Sequence, residues 1–513
     1  MIRGASSGAG TPPSSLPLPA GAATEATLAG TLTVAPREVG RGAFGGMVVE
    51  SLQPVAGFGV AYDRINGRMA TTRTTGSGSV SVVDGLAVVT TTAAANSSAP
   101  IETRRALRYV NGVGGRVLAA GYHTPGGPGS RTEIGLGDVS DFLGLGYDGA
   151  AFGIWHRRQG RREIRTLTVT VGSGGAENVT VTLDGAAKVV ASGGALSTTA
   201  LADLLAAQDW STLGAGWDAQ AVGATVVFLS RSAAPRSGAY SLASTGTAAG
   251  TVAQTTAGAV PTETHYPQAS WSEDTCSWLD PQKGNVGALR YQWLGFGELG
   301  FLLEDPALGL PVPIHRVRYA NANTVTSLRN PQLPVRLFAS TGADATAATV
   351  RSASAMAFRE SLADVSDVLA YSWNAEGAKT SITTEAAVLS VRNALVVNGA
   401  ANRTRVTLTG ISCHGEGTGG NALTVRIWRG ATIGGTPSWS SVNADSVCHQ
   451  DTGGTTVSDG TRLWSARFAR STGDRVDLTP LGITLAPGEH ITVTMTSASN
   501  VDASVSLTWR EEL

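Results

Sequence analysis

The sequence predicts a mainly β, multidomain chain: antiparallel β-sandwich or jelly-roll units carrying one small inserted α+β module. Three observations predict it. Of 513 residues, 65 are Gly and only 15% are charged, the composition of turn-rich β structure packed by small side chains. Short alternating apolar and polar runs recur between turn signals, as in SVSVVDGLAVVTTT (79–92) and RTRVTLTGIS (403–412). One segment stands apart with helical spacing, STTALADLLAAQ (197–208), where Ser197 or Thr198 can cap and Leu201, Leu204 and Leu205 form an apolar stripe.

Taken in order, residues 1–45 form a Gly/Ala/Pro/Ser-rich stretch without the apolar core of a secretory signal, and read as a flexible N-terminal docking arm. Residues 46–163 carry turn-punctuated strands, with Asp-Gly hairpins at Asp84-Gly85 and Asp148-Gly149. The texture changes at about residue 164, where short strands and the one helix suggest a small α+β module to residue 262. From residue 284 the earlier aromatic and glycine-spaced character resumes. Residues 46–163 plus 263–370 are therefore expected to form one β-sandwich domain, with 164–262 inserted at a loop, where insertions are tolerated. Residues 371–385 are expected to be a linker. Residues 386–513 offer about seven short strands, the pattern of a C-terminal jelly-roll-like sandwich.

The hairpin DFLGLGYDGAAFGIWHRRQG (141–160) is unusual for its glycines. Folded about a type I′ turn at Asp148-Gly149, it pairs Tyr147 with Ala150, Leu145 with Phe152 and Leu143 with Ile154 on a bulky face. Gly144, Gly146, Ala151 and Gly153 leave the opposite face bare. That face is expected to be a packing or subunit-interface surface, filled by Trp293 or Phe296 from the matching WLGFGELGF segment.

A formal net charge of -1 argues against a dedicated nucleic-acid binder, and no apolar run is long enough for membrane insertion. Cys276, Cys413 and Cys448 are too few for a disulfide scaffold, which suits assembly in a reducing cytoplasm. No nucleophile elbow, P-loop, dinucleotide fingerprint or HExxH helix occurs, and a non-enzymatic protein with no cofactor, metal or catalytic residue is expected. The repeated DVSD (138–141 and 364–367) offers paired carboxylates for Ca²⁺, but solvated turn acids are the simpler reading. Cys413-His414 and Cys448-His449 offer zinc-ligand types, yet adjacent strand residues face opposite ways, so buried thiols are favoured. HRRQGRRE (156–163) places Arg157, Arg158, Arg161 and Arg162 beside the insertion point, a candidate polyanion contact or a solvated hinge. Trp210 and Trp217, flanking a Gly-rich turn, are the candidates for an exposed glycan-stacking platform.

Two long stretches, FLGLGYDGAAFGIWHRRQGRREIRTLTVT and GNVGALRYQWLGFGELGFLLEDPALGLPVPIHRVRYANANT, resemble a pattern in virion structural proteins of tailed bacteriophages and large double-stranded DNA viruses. Tyr147, Gly149, Phe152 and Gly153 carry the first part. Gly284, Asn285, Tyr291, Gln292, Trp293, Gly295, Gly297, His315, Tyr319, Ala320, Asn321 and Asn323 carry the second, with Asn330 and Pro331 closing it. The C-terminal unit looks like a fibre-type domain and the insert resembles small modules of phage tail and fibre proteins. The resemblance implies a fibre, spike, or capsid- or tail-associated virion component. It would dock to other virion proteins through residues 1–45, form a homotrimer and present β-domains outward for host attachment. No catalytic residue is implied. A glycan-binding adhesin or receptor-binding protein is the alternative. A polysaccharide depolymerase is less favoured, since long stacked repeats are missing from the sequence.

Overall fold

The computed structural model describes residues 52–360, except 215, 344 and 345, and residues 370–512, except 417–421 and 469–473. The docking arm (1–45) and the second DVSD (364–367) lie outside the described residues. Strands dominate what is described, and every pairing between them is antiparallel.

Two sheets form the first sandwich. The eight-stranded sheet runs from Leu310–Val317 through Leu299–Asp305, Asn285–Tyr291, Gly114–Thr124 and Thr349–Glu360 to Leu86–Thr90 and Ser79–Val83, with Leu52–Gly59 also paired to Thr349–Glu360. The seven-stranded sheet orders Thr262–Pro267, Ala151–Arg158, Phe142–Asp148, Arg131–Gly137, Leu333–Ser340, Ser98–Leu107 and Ala70–Thr72. Alternation turns one face of each inward, where Ile101, Leu136, Leu143, Ile154, Tyr291, Phe301 and Leu337 make a continuous apolar core.

The chain leaves the seven-stranded sheet after Ala151–Arg158 and re-enters on the neighbouring strand Thr262–Pro267. Between them lie a four-stranded sheet, a three-stranded sheet and the helix Thr198–Ala206, which share a separate core including Leu167, Val181, Leu205 and Phe228. The Ser197 side chain caps the helix by accepting the Ala200 N–H at 3.2 Å. The distal sandwich opposes a five-stranded sheet on Val501–Glu512 and Arg405–Glu416 to a six-stranded sheet centred on Ala386–Asn393 and His490–Thr496. Its core includes Val391, Leu408, Ile427, Val493 and Trp509.

Two sequence expectations are corrected here. Most of the expected linker, 371–385, is strand: Ala370–Ile382 pairs along Val501–Glu512 at the edge of the distal sandwich. Its Ser, Glu and Lys residues masked a period-two pattern in which Trp373 and Ala375 pack on the distal core. The glycine-rich hairpin also shifts register, because its turn is Gly149-Ala150 and not Asp148-Gly149: Tyr147 pairs with Phe152 and Asp148 with Ala151. Gly149 alone has positive φ (58°), the requirement of a turn with glycine at its first central position. The shift sets the Tyr147 and Phe152 rings edge to face at 5.2 Å in the core, where such a pair adds about 0.5–1.5 kcal/mol. At Asp84-Gly85, both φ angles are positive (52° and 74°), and Val83 pairs with Leu86 around the expected two-residue turn.

Candidate functional site

The bare face of the hairpin carries charge, not aromatic wedges. The strand Phe142–Asp148 lies between Arg131–Gly137 and Ala151–Arg158, and at Gly144 and Gly146 it offers no side chain. Over this floor Arg157 reaches Glu133, two strands away, and also pairs with Glu263. Arg131 forms a bidentate pair with Glu263 at 2.8 and 2.7 Å. On the other side Arg336 meets Glu133 at 3.4 Å and Glu102 at 2.8 Å. The Phe142 ring covers Gly144, and the Arg131 guanidinium lies 4.1 Å from the Trp155 ring centre. Glu133 is fully buried. Burial alone would raise its carboxyl, but Arg157, Arg336 and Arg131 outweigh that and hold it below the usual carboxylate range.

Trp293 and Phe296, the expected fillers of this face, sit elsewhere. Both belong to a loop between Asn285–Tyr291 and Leu299–Asp305, where Leu294 and Gly295 take positive φ and break the expected strand. Trp293 donates to the Leu328 carbonyl at 3.0 Å and meets Tyr109 edge to face, while Phe296 lies half-exposed beside Tyr319. Ala151, expected on the bare surface, is exposed at the turn opposite Asp148.

The other nominated residues are also reassigned. Trp210 and Trp217 are 1% exposed and cannot form an open stacking platform. Trp210 donates to the Leu205 carbonyl at 2.8 Å and abuts Phe228, and Trp217 abuts Tyr240. The four arginines form no common patch: Arg157 and Arg158 point to opposite faces of their strand, and Arg161 and Arg162 lie beyond its end. Arg157 joins the charge network, Arg158 lies over Tyr319, Arg161 pairs its backbone with Ala259, and Arg162 pairs with Asp218 at 3.1 Å. The first DVSD is no solvated turn: Asp141 is 1% exposed and accepts the N–H groups of Gln159 and Arg329, while Asp138 pairs with Arg403. Cys413 and Cys448 are free, buried and in different sheets, and burial pushes the Cys413 thiol up to about 12.

Polar clamps join the three units. Arg403 of the distal sandwich holds Asp138 and the Asn330 carbonyl of the first; Arg104 pairs with Glu489 at 3.0 Å. Asp218 of the insert takes Arg73 and Arg162 at 3.2 and 3.1 Å. Gln220 of the insert donates to the Asn393 carbonyl and accepts the Leu395 N–H of the distal sandwich; Gly223 N–H reaches the Trp439 carbonyl.

These clamps leave a cleft of about 920 Å³ between the insert and the distal sandwich. One wall is the helix Thr198–Ala206 and the strand Trp217–Val222. The other is Arg392, the turn region around Trp439, and residues 487–490. Arg392 is the last residue but one of a strand packed on both faces and is 7% exposed. Its Nε donates to His449 Nδ1 at 3.3 Å and its guanidinium stacks 4.1 Å from the Trp439 ring centre, yet Nη2 has no partner among the described residues. Asp203, on the helix flank, has a buried Oδ2 equally without partner. Burial pushes the Asp203 carboxyl up to about 7 against the pull of Arg392, and burial lowers Arg392 to about 9. The neighbouring charges are already engaged: Arg73 and Arg231 with Asp218, Arg104 with Glu489. Nothing in AAVLSVRN marked Arg392 beyond a lone cation in an apolar strand; its significance depends on Asp203, nearly two hundred residues away.

No protein-family model and no curated relative matches the chain. Among solved structures, the Emp47p carbohydrate recognition domain aligns at 8% identity and a TM-score of 0.26, over 60% of this chain and 97% of that one. The legume lectin-like domain from Entamoeba histolytica aligns at 9% and 0.16, over 56% and 89%. The infectious bursal disease virus VP2 subviral particle aligns at 10% and 0.17, over 78% and 72%. No helix among the described residues is long and apolar enough to cross a membrane.

Proposed function

We propose that the chain is a non-enzymatic structural protein of a virion, a fibre, spike, or capsid- or tail-associated component. It docks through residues 1–45 and presents its β-units outward, as a homotrimer. The observation that carries this reading is where the two virion-like stretches fall. GYDGAAFGI forms a hairpin of the seven-stranded sheet, and GNVGALRYQWLGFGELGF supplies one strand of the eight-stranded sheet, the aromatic loop and the start of the next strand. The two resembling stretches thus fall in the two facing sheets of one sandwich.

The test is particle assembly with a chain lacking residues 1–45. The truncated protein should fold, stay oligomeric by light scattering and fail to join the particle; incorporation at the normal level, or a strictly monomeric full chain, overturns the proposal. A second reading, that the protein adheres to a host glycan, is favoured by the cleft, where Arg392 Nη2 and Asp203 Oδ2 have no hydrogen-bond partner among the described residues. Binding of the intact chain to a panel of host-surface glycans tests it.

A further inference from the structure

We propose that the cleft between the insert and the distal sandwich binds a carboxylate-bearing sugar, with Arg392 taking the carboxylate and Asp203 a hydroxyl. This rests on the adhesive reading above. A buried guanidinium without full hydrogen bonding is destabilising, and folded chains leave such a group unpaired chiefly where something else completes it. Arg392 is also held in place before any ligand arrives, by the His449 bond below and the Trp439 ring beside it. A planar fork fixed in this way matches the two oxygens of a carboxylate.

The surroundings select among anions. Asp203 and the buried Asp451 both act electrostatically on Arg392. Asp451 is already engaged, accepting the backbone N–H groups of Ser438, Gly453 and Gly454. These acids disfavour a doubly charged phosphate and suit a monoanion. A ligand must also satisfy the unpartnered Asp203 Oδ2, which a sugar hydroxyl does and a simple aliphatic acid does not. The buried Trp217 indole N–H, on the same wall, has no acceptor among the described residues either. A volume of about 920 Å³ exceeds one monosaccharide, so a segment of an acidic oligosaccharide fits.

Saturation-transfer NMR on the full chain, with methyl glucuronide, methyl glucoside and glucose 6-phosphate, tests the inference. Methyl glucuronide should bind, and the other two about tenfold more weakly or not at all. Arg392→Gln should abolish glucuronide binding. Arg392→Lys, which keeps the charge and the strand, should weaken it about tenfold because an ammonium cannot form the fork. Equal binding of the glucoside, preference for the phosphate, or unchanged glucuronide binding in folded Arg392→Lys and Arg392→Gln proteins overturns the inference and leaves the adhesive reading standing. Failure of every saccharide, host glycans included, overturns both.

Discussion

At Gly146 an added Cβ would lie 1.8 Å from the Thr132 carbonyl oxygen, well inside contact distance. The residue is glycine because the backbone of the neighbouring strand, at Thr132 and Glu133, presses against it. Gly146→Ala is expected to destabilise the chain by about 1–3 kcal/mol, the range for overfilled packing, measured by urea unfolding. A change within experimental scatter removes the close-approach account. Asp203 makes a prediction of opposite character. Its carboxyl, near 4 when unfolded and about 7 when folded, binds more protons in the folded state between those values. Stability contributed by the neutral form is complete below pH 4 and is lost as pH rises through 7. Asp203→Asn should therefore raise Tm at pH 8 and leave it unchanged at pH 4; an equal shift at both values argues against a neutral, buried carboxyl.

Elements were legible in the sequence where local chemistry alone decides them. The helix Thr198–Ala206 has its cap and stripe within a dozen residues, and Asp84-Gly85 turns as its dipeptide demands. The Asp148-Gly149 dipeptide carries the same signal, but the Tyr147–Phe152 pairing in the core moves the turn by one residue. The two faces survived that error because the partners moved by two positions together. The identity of what covers the bare face did not, since Glu133, Glu263 and Arg336 come from three other strands. The strand Ala370–Ile382 was invisible for a related reason: its partner is the last strand described. Gly377, where a Cβ would meet the Val388 carbonyl at 2.4 Å, shows how closely it is packed. Gly377→Val should lower the Tm of the distal sandwich by several degrees in calorimetry. An unaltered transition shows that this strand contributes little to it.

At the scale of the whole molecule, three cores are coupled through polar contacts, chief among them Arg403 with Asp138. Both partners are largely buried, so removing one leaves an uncompensated charge worth about 3–5 kcal/mol. Arg403→Ala is expected to split a joint calorimetric unfolding into separate transitions for the first and distal sandwiches. One unchanged cooperative transition shows that other contacts couple them. The candidate site was illegible in the sequence at this scale too, since Arg392 and Asp203 meet only through the packing of one unit on another.

The insert begins and ends on adjacent strands, Ala151–Arg158 and Thr262–Pro267, whose backbones run about 5 Å apart. Its two attachment points are thus no farther apart than the ends of a tight turn, and a short turn in place of residues 160–261 should leave the first sandwich folded by circular dichroism. The same geometry makes the insert a cassette in the genetic sense. Recombination at that seam would exchange the Asp203 wall of the cleft and keep the Arg392 wall, so on the proposed acidic-sugar reading the contact to the acid group and the contacts to the rest of the ligand would be inherited separately.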